Sequence, residues 1–177
     1  VERPVNYPRI SAPTQKKQWF LFTRNDGLQN QAVYYLQDGE NGVPQLLLDP
    51  NTMSADGTTR ITGVTIDLAA ARIAYMLSVA GSDWQESDRV EWVKASDLAW
   101  AGSGFFYSRY PAPEVTEAAF SSKNEDHQVY YHTVGTPQAD DRLVYRDSEH
   151  PQRFHYVSTT EDERFAVLSV SDRGNGQ

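Results

Sequence analysis

Cysteine is missing from this 177-residue chain, which excludes disulfide staples and thiolate-bound metal centres but does not choose between a cytoplasmic and a periplasmic setting. No apolar run approaches the roughly 18–20 residues that a membrane-crossing helix needs. Val1 to Arg9 carry no apolar stretch of the kind signal peptides use, so no leader is expected in them. Positive charge is also scarce. Lys and Arg number 16 against 24 Asp and Glu, the net charge is −8, and no basic cluster exceeds two residues. Such a surface repels phosphate backbones, so neither nucleic acid nor membrane is expected as a partner.

What is present is aromatic and β-branched. Apolar residues make up 39% and aromatics 12%, with ten Tyr and seven Phe, enough for a packed core in a soluble globular domain. The aromatics fall in short runs: Trp19–Thr23, Ala32–Leu36, Gln45–Leu48, Arg60–Ile66, Arg72–Ser78, Gly104–Tyr110, Gln128–Val134, Arg142–Tyr145 and Arg164–Ser169. Each has the length of a strand, and turn residues such as Asn25-Asp26-Gly27, Asp56-Gly57 and Thr136-Pro137 separate them. Helical patterns are confined to Asp67–Ala74, which runs into the strand-like RIAYML, and Glu114–Phe120. The fold is expected to be all-β. An aromatic run, a polar turn and a run with paired tyrosines (AVYYLQ, QVYYHTV) recur as a coarse repeat. That pattern fits propeller blades and also fits a sandwich.

Catalytic groups are hard to assemble from these residues. No G-x-S-x-G occurs, and Gly102-Ser103-Gly104 reads as a hairpin turn. His150 and His155 have a spacing that could suit a metal, but only scattered carboxylates accompany them, so no metal site is expected. His127 and His132, an odd number of residues apart, should face opposite sides of a strand. Asp140-Asp141, Glu161-Asp162 and Asp88 could in principle work as paired acids, yet adjacent acids in turns are usually solvated. Gly81-Ser82-Asp83-Trp84 reads as a capped turn with a buried indole. No catalytic residue and no cofactor is assigned.

Longer stretches add a resemblance. Tyr7-Pro8-Arg9, FTRNDGLQNQAVYYLQ (Phe22–Gln37), LLLDPNTMSADGTTRITG (Leu46–Gly63), YMLSVAGSDWQE (Tyr75–Glu86) and DRVEWVKASDLAW (Asp88–Trp100) resemble the first propeller blades of prolyl oligopeptidases. FFYSRYP (Phe105–Pro111), HQVYYHTVGTPQADDRLVY (His127–Tyr145) and HPQRFHYVSTTEDERFAVLSVS (His150–Ser171) extend the resemblance over nearly the whole chain. It implies that residues 1–177 form one partial domain, about three to four blades of four-stranded antiparallel sheet from a seven-bladed β-propeller. The implied parent is a proline-specific serine peptidase whose α/β-hydrolase domain carries Ser, Asp and His and has no counterpart in this sequence. The implied role is gating and size selection of short proline-containing peptides. Self-association through exposed sheet edges is the alternative.

The same alignment implies two peptide-contacting positions, Ala95, where relatives often have a larger aromatic, and Phe154. It also shows departures. Ser87 follows Trp84-Gln85-Glu86 at once where relatives carry a further strand, and Leu68-Ala69-Ala70-Ala71 replaces a Ser-x-Asp-Gly turn. A blade that lost a strand would leave ladder groups unpaired.

Overall fold

The computed structural model describes residues 7–78, 85–87, 90–112 and 124–172. Its regular elements are almost entirely strands: β1 Arg9–Ile10, β2 Thr14–Lys16, β3 Trp19–Asn25, β4 Val33–Asp38, β5 Gln45–Leu48, β6 Arg60–Ile66, β7 Ile73–Ser78, β8 Gln85–Ser87, β9 Val90–Val93, β10 Ala99–Ala101, β11 Gly104–Arg109, β12 Gln128–Thr133, β13 Arg142–Tyr145, β14 Phe154–Thr159 and β15 Ala166–Ser171. The all-β expectation holds. Glu114–Phe120, Gly81–Trp84 and Asp88 lie outside the described residues. The chain divides into two compact units that meet in sequence after Ile61.

The first unit is an antiparallel sheet in which β1 and β2 share one edge of β3, followed by β4 and β5. Pro13 interrupts what would otherwise be one outer strand, because proline has no N–H to give the ladder. In β3 and β4 the register sets Phe20 opposite Gln37 and Phe22 opposite Tyr35. These side chains, with Ile10, Arg24 and Pro44, line an open cleft of about 480 Å³. The NDGLQNQ and LDPN segments prove to be one latch. Asn51 Oδ1 accepts the Gln31 backbone N–H at 2.9 Å, its Nδ2 donates to the Gln31 carbonyl at 2.9 Å, and Gln31 Nε2 donates to the Thr59 carbonyl. Asp49 caps the turn by accepting from the Asn51 N–H.

The second unit holds an eight-stranded sheet in the order β13-β12-β11-β9-β8-β7-β6, with β10 also on β11, and a two-stranded sheet, β14-β15. The eight strands are two successive meanders, joined where Val93 pairs with Arg109. The second meander repeats the first unit, since β9 and β10 share β11 as β1 and β2 share β3. Phe106 faces Tyr131 as Phe22 faces Tyr35, and each tyrosine strand carries a bulge at its tyrosine pair, between Tyr34 and Tyr35 in β4 and between Val129 and Tyr130 in β12. The coarse sequence repeat therefore corresponds to a structural one.

The short linker after Trp84 does not cost its meander a strand. Gln85–Ser87 pairs with Met76–Ser78 on one side and reaches Val90 and Val93 on the other. Three residues suffice because the groups that matter are those facing a neighbour. At Asp67–Arg72 there is a turn, not a helix: Asp67 Oδ1 accepts the N–H groups of Ala71 and Arg72, and Ala70 takes a φ of 50°. Arg72 donates from Nε to Asp67 Oδ2 at 2.8 Å and reaches the carbonyls of Gly102 and Ser103. Burial pushes the Asp67 carboxyl up, but the Arg72 side chain and the two amides outweigh it and hold the group below its usual range.

Arg72 thus grips the β10–β11 hairpin, the turn read from Gly102-Ser103-Gly104. Only glycine fits at its end, where a Cβ on Gly104 would lie 1.9 Å from the His132 carbonyl oxygen. The apolar core of this unit is Ala74, Met76, Val90, Val93, Trp100, Phe105 and Tyr107. A smaller cluster, Ala99, Val129 and Val157, lies beside it.

Candidate functional site

β11 and β12 present two faces with different chemistry, and the four histidines divide between them and a loop. On the core face His132 lies opposite Phe105, with ring centroids 5.2 Å apart. Its Nδ1 is 2.8 Å from Asp141 Oδ1, and Tyr107 donates its hydroxyl to Asp141 Oδ2 at 2.7 Å. The Asp141 side chain is wholly buried. This corrects the expectation of a solvated acid: Asp141 follows the short 3-10 turn Gln138–Asp140, which carries it in over the sheet. Burial, reinforced by Asp141, pushes the Tyr107 phenol well above its usual range. Tyr107 is therefore a donor that anchors a turn and not a nucleophile.

His150 is exposed and bonds Asp147 in a loop, away from the pair it formed in sequence with His155. Among the described residues no three metal-ligating side chains gather. Glu161 and Asp162 are solvent-exposed in the turn before β15, where Asp162 accepts from Thr160 Oγ1 and the Arg164 N–H.

His127 and His155 meet on the other face. The opposite orientation of His127 and His132, read from their spacing, is observed. The backbone N–H of His155 donates to His127 Nδ1 at 2.9 Å, and His155 Nδ1 lies 2.6 Å from the His127 carbonyl, which can only accept. Because His127 Nδ1 is an acceptor, its proton sits on Nε2, which donates to the Lys94 carbonyl at 3.0 Å. The seam continues through serines: Ser108 Oγ donates to the His155 carbonyl at 2.7 Å, and the Ser108 N–H donates to Ser96 Oγ at 2.8 Å. Four segments are tied by this chain of bonds: the β9–β10 connection, β11, β12 and β14. His127, His155, Ser108 and Ser96 are all buried.

The two positions implied to touch peptide lie on either side of this seam. Ala95 follows Lys94 in the β9–β10 connection, half-buried and with a φ of 52°. Phe154 opens β14, also half-buried, and packs edge-on against His127 with centroids 5.7 Å apart. Tyr156 stacks beside Phe154 at 6.3 Å, and Tyr110 lies 4.8 Å from His127. Sequence reasoning missed Tyr110, Tyr156 and the organising role of His127. The HQ pair opening the QVYYHTV strand was a visible signal, since a polar residue at the edge of a buried strand must find partners.

Burial pushes the His127 imidazole down to about 4; the Lys94 carbonyl offsets part of this and His155 adds to it. The folded pKa lies below the unfolded one, so this contribution is fully present above pH 6.5 and is lost as pH falls towards 4. Between pH 7 and pH 5 the folded chain should lose about 2 kcal/mol through this group. Urea unfolding at the two pH values should show the loss, and His127→Gln should remove that part of the pH slope. An unchanged slope would mean that His127 is not buried as described.

The profile of one family, described as the prolyl oligopeptidase N-terminal beta-propeller domain, matches residues 1–176. The chain is 36% identical to the prolyl endopeptidase of Elizabethkingia meningoseptica over 97% of its own length and 26% of that protein's. It is 32% identical to the dual function macrocyclase-peptidase POPB of Galerina marginata over 92% of its length and 27% of the relative's. Among solved structures, one from a comparison of two prolyl endopeptidases superposes with a TM-score of 0.82 at 28% identity, over 97% of this chain and 26% of that one. Prolyl oligopeptidase B from Galerina marginata, bound to a 35mer hydrolysis and macrocyclization substrate, gives 0.77 at 28% identity over 95% of this chain and 28% of that one. The chain thus spans about a quarter of the relatives it matches.

Proposed function

This chain belongs to the prolyl oligopeptidase N-terminal β-propeller family, and from that premise we propose that it is a non-catalytic propeller portion of a proline-specific serine peptidase. In this reading it works beside an α/β-hydrolase domain that breaks the bond, and its strands limit which peptides reach that domain. The pocket at Ala95 and Phe154 contacts residues upstream of the cleaved proline. One observation carries the reading: two positions far apart in sequence and singled out by resemblance flank the same buried histidine, with aromatic rings beside them.

The test is a chimera in which this chain replaces the matching region of the Elizabethkingia meningoseptica enzyme. The chain alone should not turn over a proline-containing chromogenic peptide, whereas the chimera should. Ala95→Phe should restore an aromatic wall and lower KM about threefold to tenfold for peptides with an apolar residue upstream of proline, with kcat unchanged. Phe154→Ala should raise KM. If KM ignores both substitutions, the pocket assignment fails.

A second reading, association through a sheet edge, is favoured by β15. It pairs only with β14 among the described residues, and Phe165, Val167, Leu168 and Val170 are exposed around it. Concentration-dependent dimerisation abolished by Val167→Lys would support it, and a monomer at all concentrations would remove it.

A further inference from the structure

The seam has one member that shapes the pocket without reaching it. His127 is 1% exposed, too deep to touch a peptide, yet it contacts both pocket-bearing segments. Its Nε2–H holds the Lys94 carbonyl immediately before Ala95, whose left-handed φ of 52° costs an L-residue about 1–2 kcal/mol and persists only where neighbours enforce it. Its Nδ1 holds the N–H of His155, immediately after Phe154, and its ring abuts the Phe154 ring. A single imidazole therefore sets both the Lys94–Ala95 turn and the first residues of β14.

We infer that His127 is the positioning residue of the Ala95–Phe154 pocket, and that protonating it releases Phe154 and closes the pocket to peptide. A proton can be added only at Nδ1, the atom that now accepts from the His155 N–H, so protonation must break the bond that holds β14. The surroundings offer the new charge little relief. From β14 the ring meets His155 and Tyr156, from the end of β11 Tyr110, and from the β9–β10 connection the Lys94 carbonyl. Asp97 acts on Tyr156, and Asp126, next in sequence to His127, is engaged by Arg146 and Gln128. His155 Nε2 has no partner among the described residues, and turning that ring towards the new His127 N–H would give up the bond from its Nδ1 to the His127 carbonyl.

The peptide arm of this inference rests on the pocket reading above, and the spectroscopic arm does not. Nitrogen-resolved imidazole spectra of the full 177-residue chain should show His127 as the Nε2–H tautomer. As pH is lowered from 7 to about 4, the amide signals of Lys94, Ala95, Phe154 and His155 should move with one shared midpoint, that of His127. His127→Gln keeps a terminal N–H₂ within reach of the Lys94 carbonyl, whereas His127→Asn keeps an acceptor near Nδ1 but falls short of that carbonyl. The Gln variant should therefore retain the native Lys94 and Ala95 signals and the Asn variant should lose them.

In the chimera, His127→Gln, which lacks the acceptor for the His155 N–H, should raise peptide KM about tenfold, and His127→Asn, which keeps it, by less than about threefold, with kcat unchanged. An Nδ1–H tautomer, or separate midpoints for the two segments, overturns the inference whatever the peptide data show. Native-like spectra and titration with no effect of any pocket variant on KM overturn the peptide arm and the pocket reading together, and leave the His127 link between the two segments standing.

Discussion

Replacing Trp100 by alanine should destabilise the chain by about 3–5 kcal/mol, the range for removing a buried aromatic that its surroundings cannot collapse to fill. Trp100 is 1% exposed in β10. Its indole stands edge-on to Phe105 at 5.5 Å, and the Arg72 guanidinium lies over it at 5.1 Å. The void would open between Arg72, which grips the β10–β11 hairpin, and the core of Ala74, Met76, Val90 and Val93. Trp100→Phe should cost less than half as much, for two reasons. It keeps most of the packing, and it removes an Nε1–H that is buried without a partner among the described residues. Urea unfolding monitored by circular dichroism measures both. Equal losses for the two variants would place the stability in the second ring of the indole, which phenylalanine lacks.

Asp141→Ala should be nearly as severe, about 3–5 kcal/mol, for a different reason. No void of consequence opens. Instead the Tyr107 hydroxyl and His132 Nδ1, both buried, lose the one carboxylate that faces them. Gln138 Nε2 lies 3.3 Å from the Tyr107 hydroxyl, but as a donor it cannot take the phenolic proton. Asp141→Asn keeps one acceptor for the two groups and should lose only about 1–3 kcal/mol. The double variant Asp141→Ala with Tyr107→Phe should recover part of the Asp141→Ala loss, because the stranded hydroxyl goes with it. If it falls by the simple sum of the two single losses, the three side chains do not form one network.

Much of the fold was legible without coordinates. β5, β6 and β13 start and stop where the residue runs do, and β3, β4, β7, β11 and β12 differ from theirs by one or two residues. Those runs are continuous or alternating stretches of apolar side chains bounded by turn residues, long enough to read as strands. β1, β2, β8 and β10 are two or three residues long and carry no period, so they could be found only by their pairing. β14 went unread because His155 and Ser158 break its apolar pattern, and His155 is buried only because His127 meets it.

The candidate site divides in the same way. Ala95 and Phe154 were reached by resemblance, and the opposed faces of His127 and His132 by strand spacing. The wholly buried Asp141 sat unnoticed in a turn, beside an exposed Asp140 of the same residue type.

By itself, then, the sequence determined the strand-and-turn alternation, the repeat of aromatic and tyrosine-paired runs, and the kinship that places this chain among propeller domains. These depend on interactions within a few residues, and each is written in a contiguous segment. Tertiary structure alone decided which polar groups go inside: Asp141 beneath Tyr107, and His127 between Lys94 and His155. Burying a polar group is tolerable only if a partner waits there, and each of these partners comes from a different strand or loop whose position no local pattern encodes.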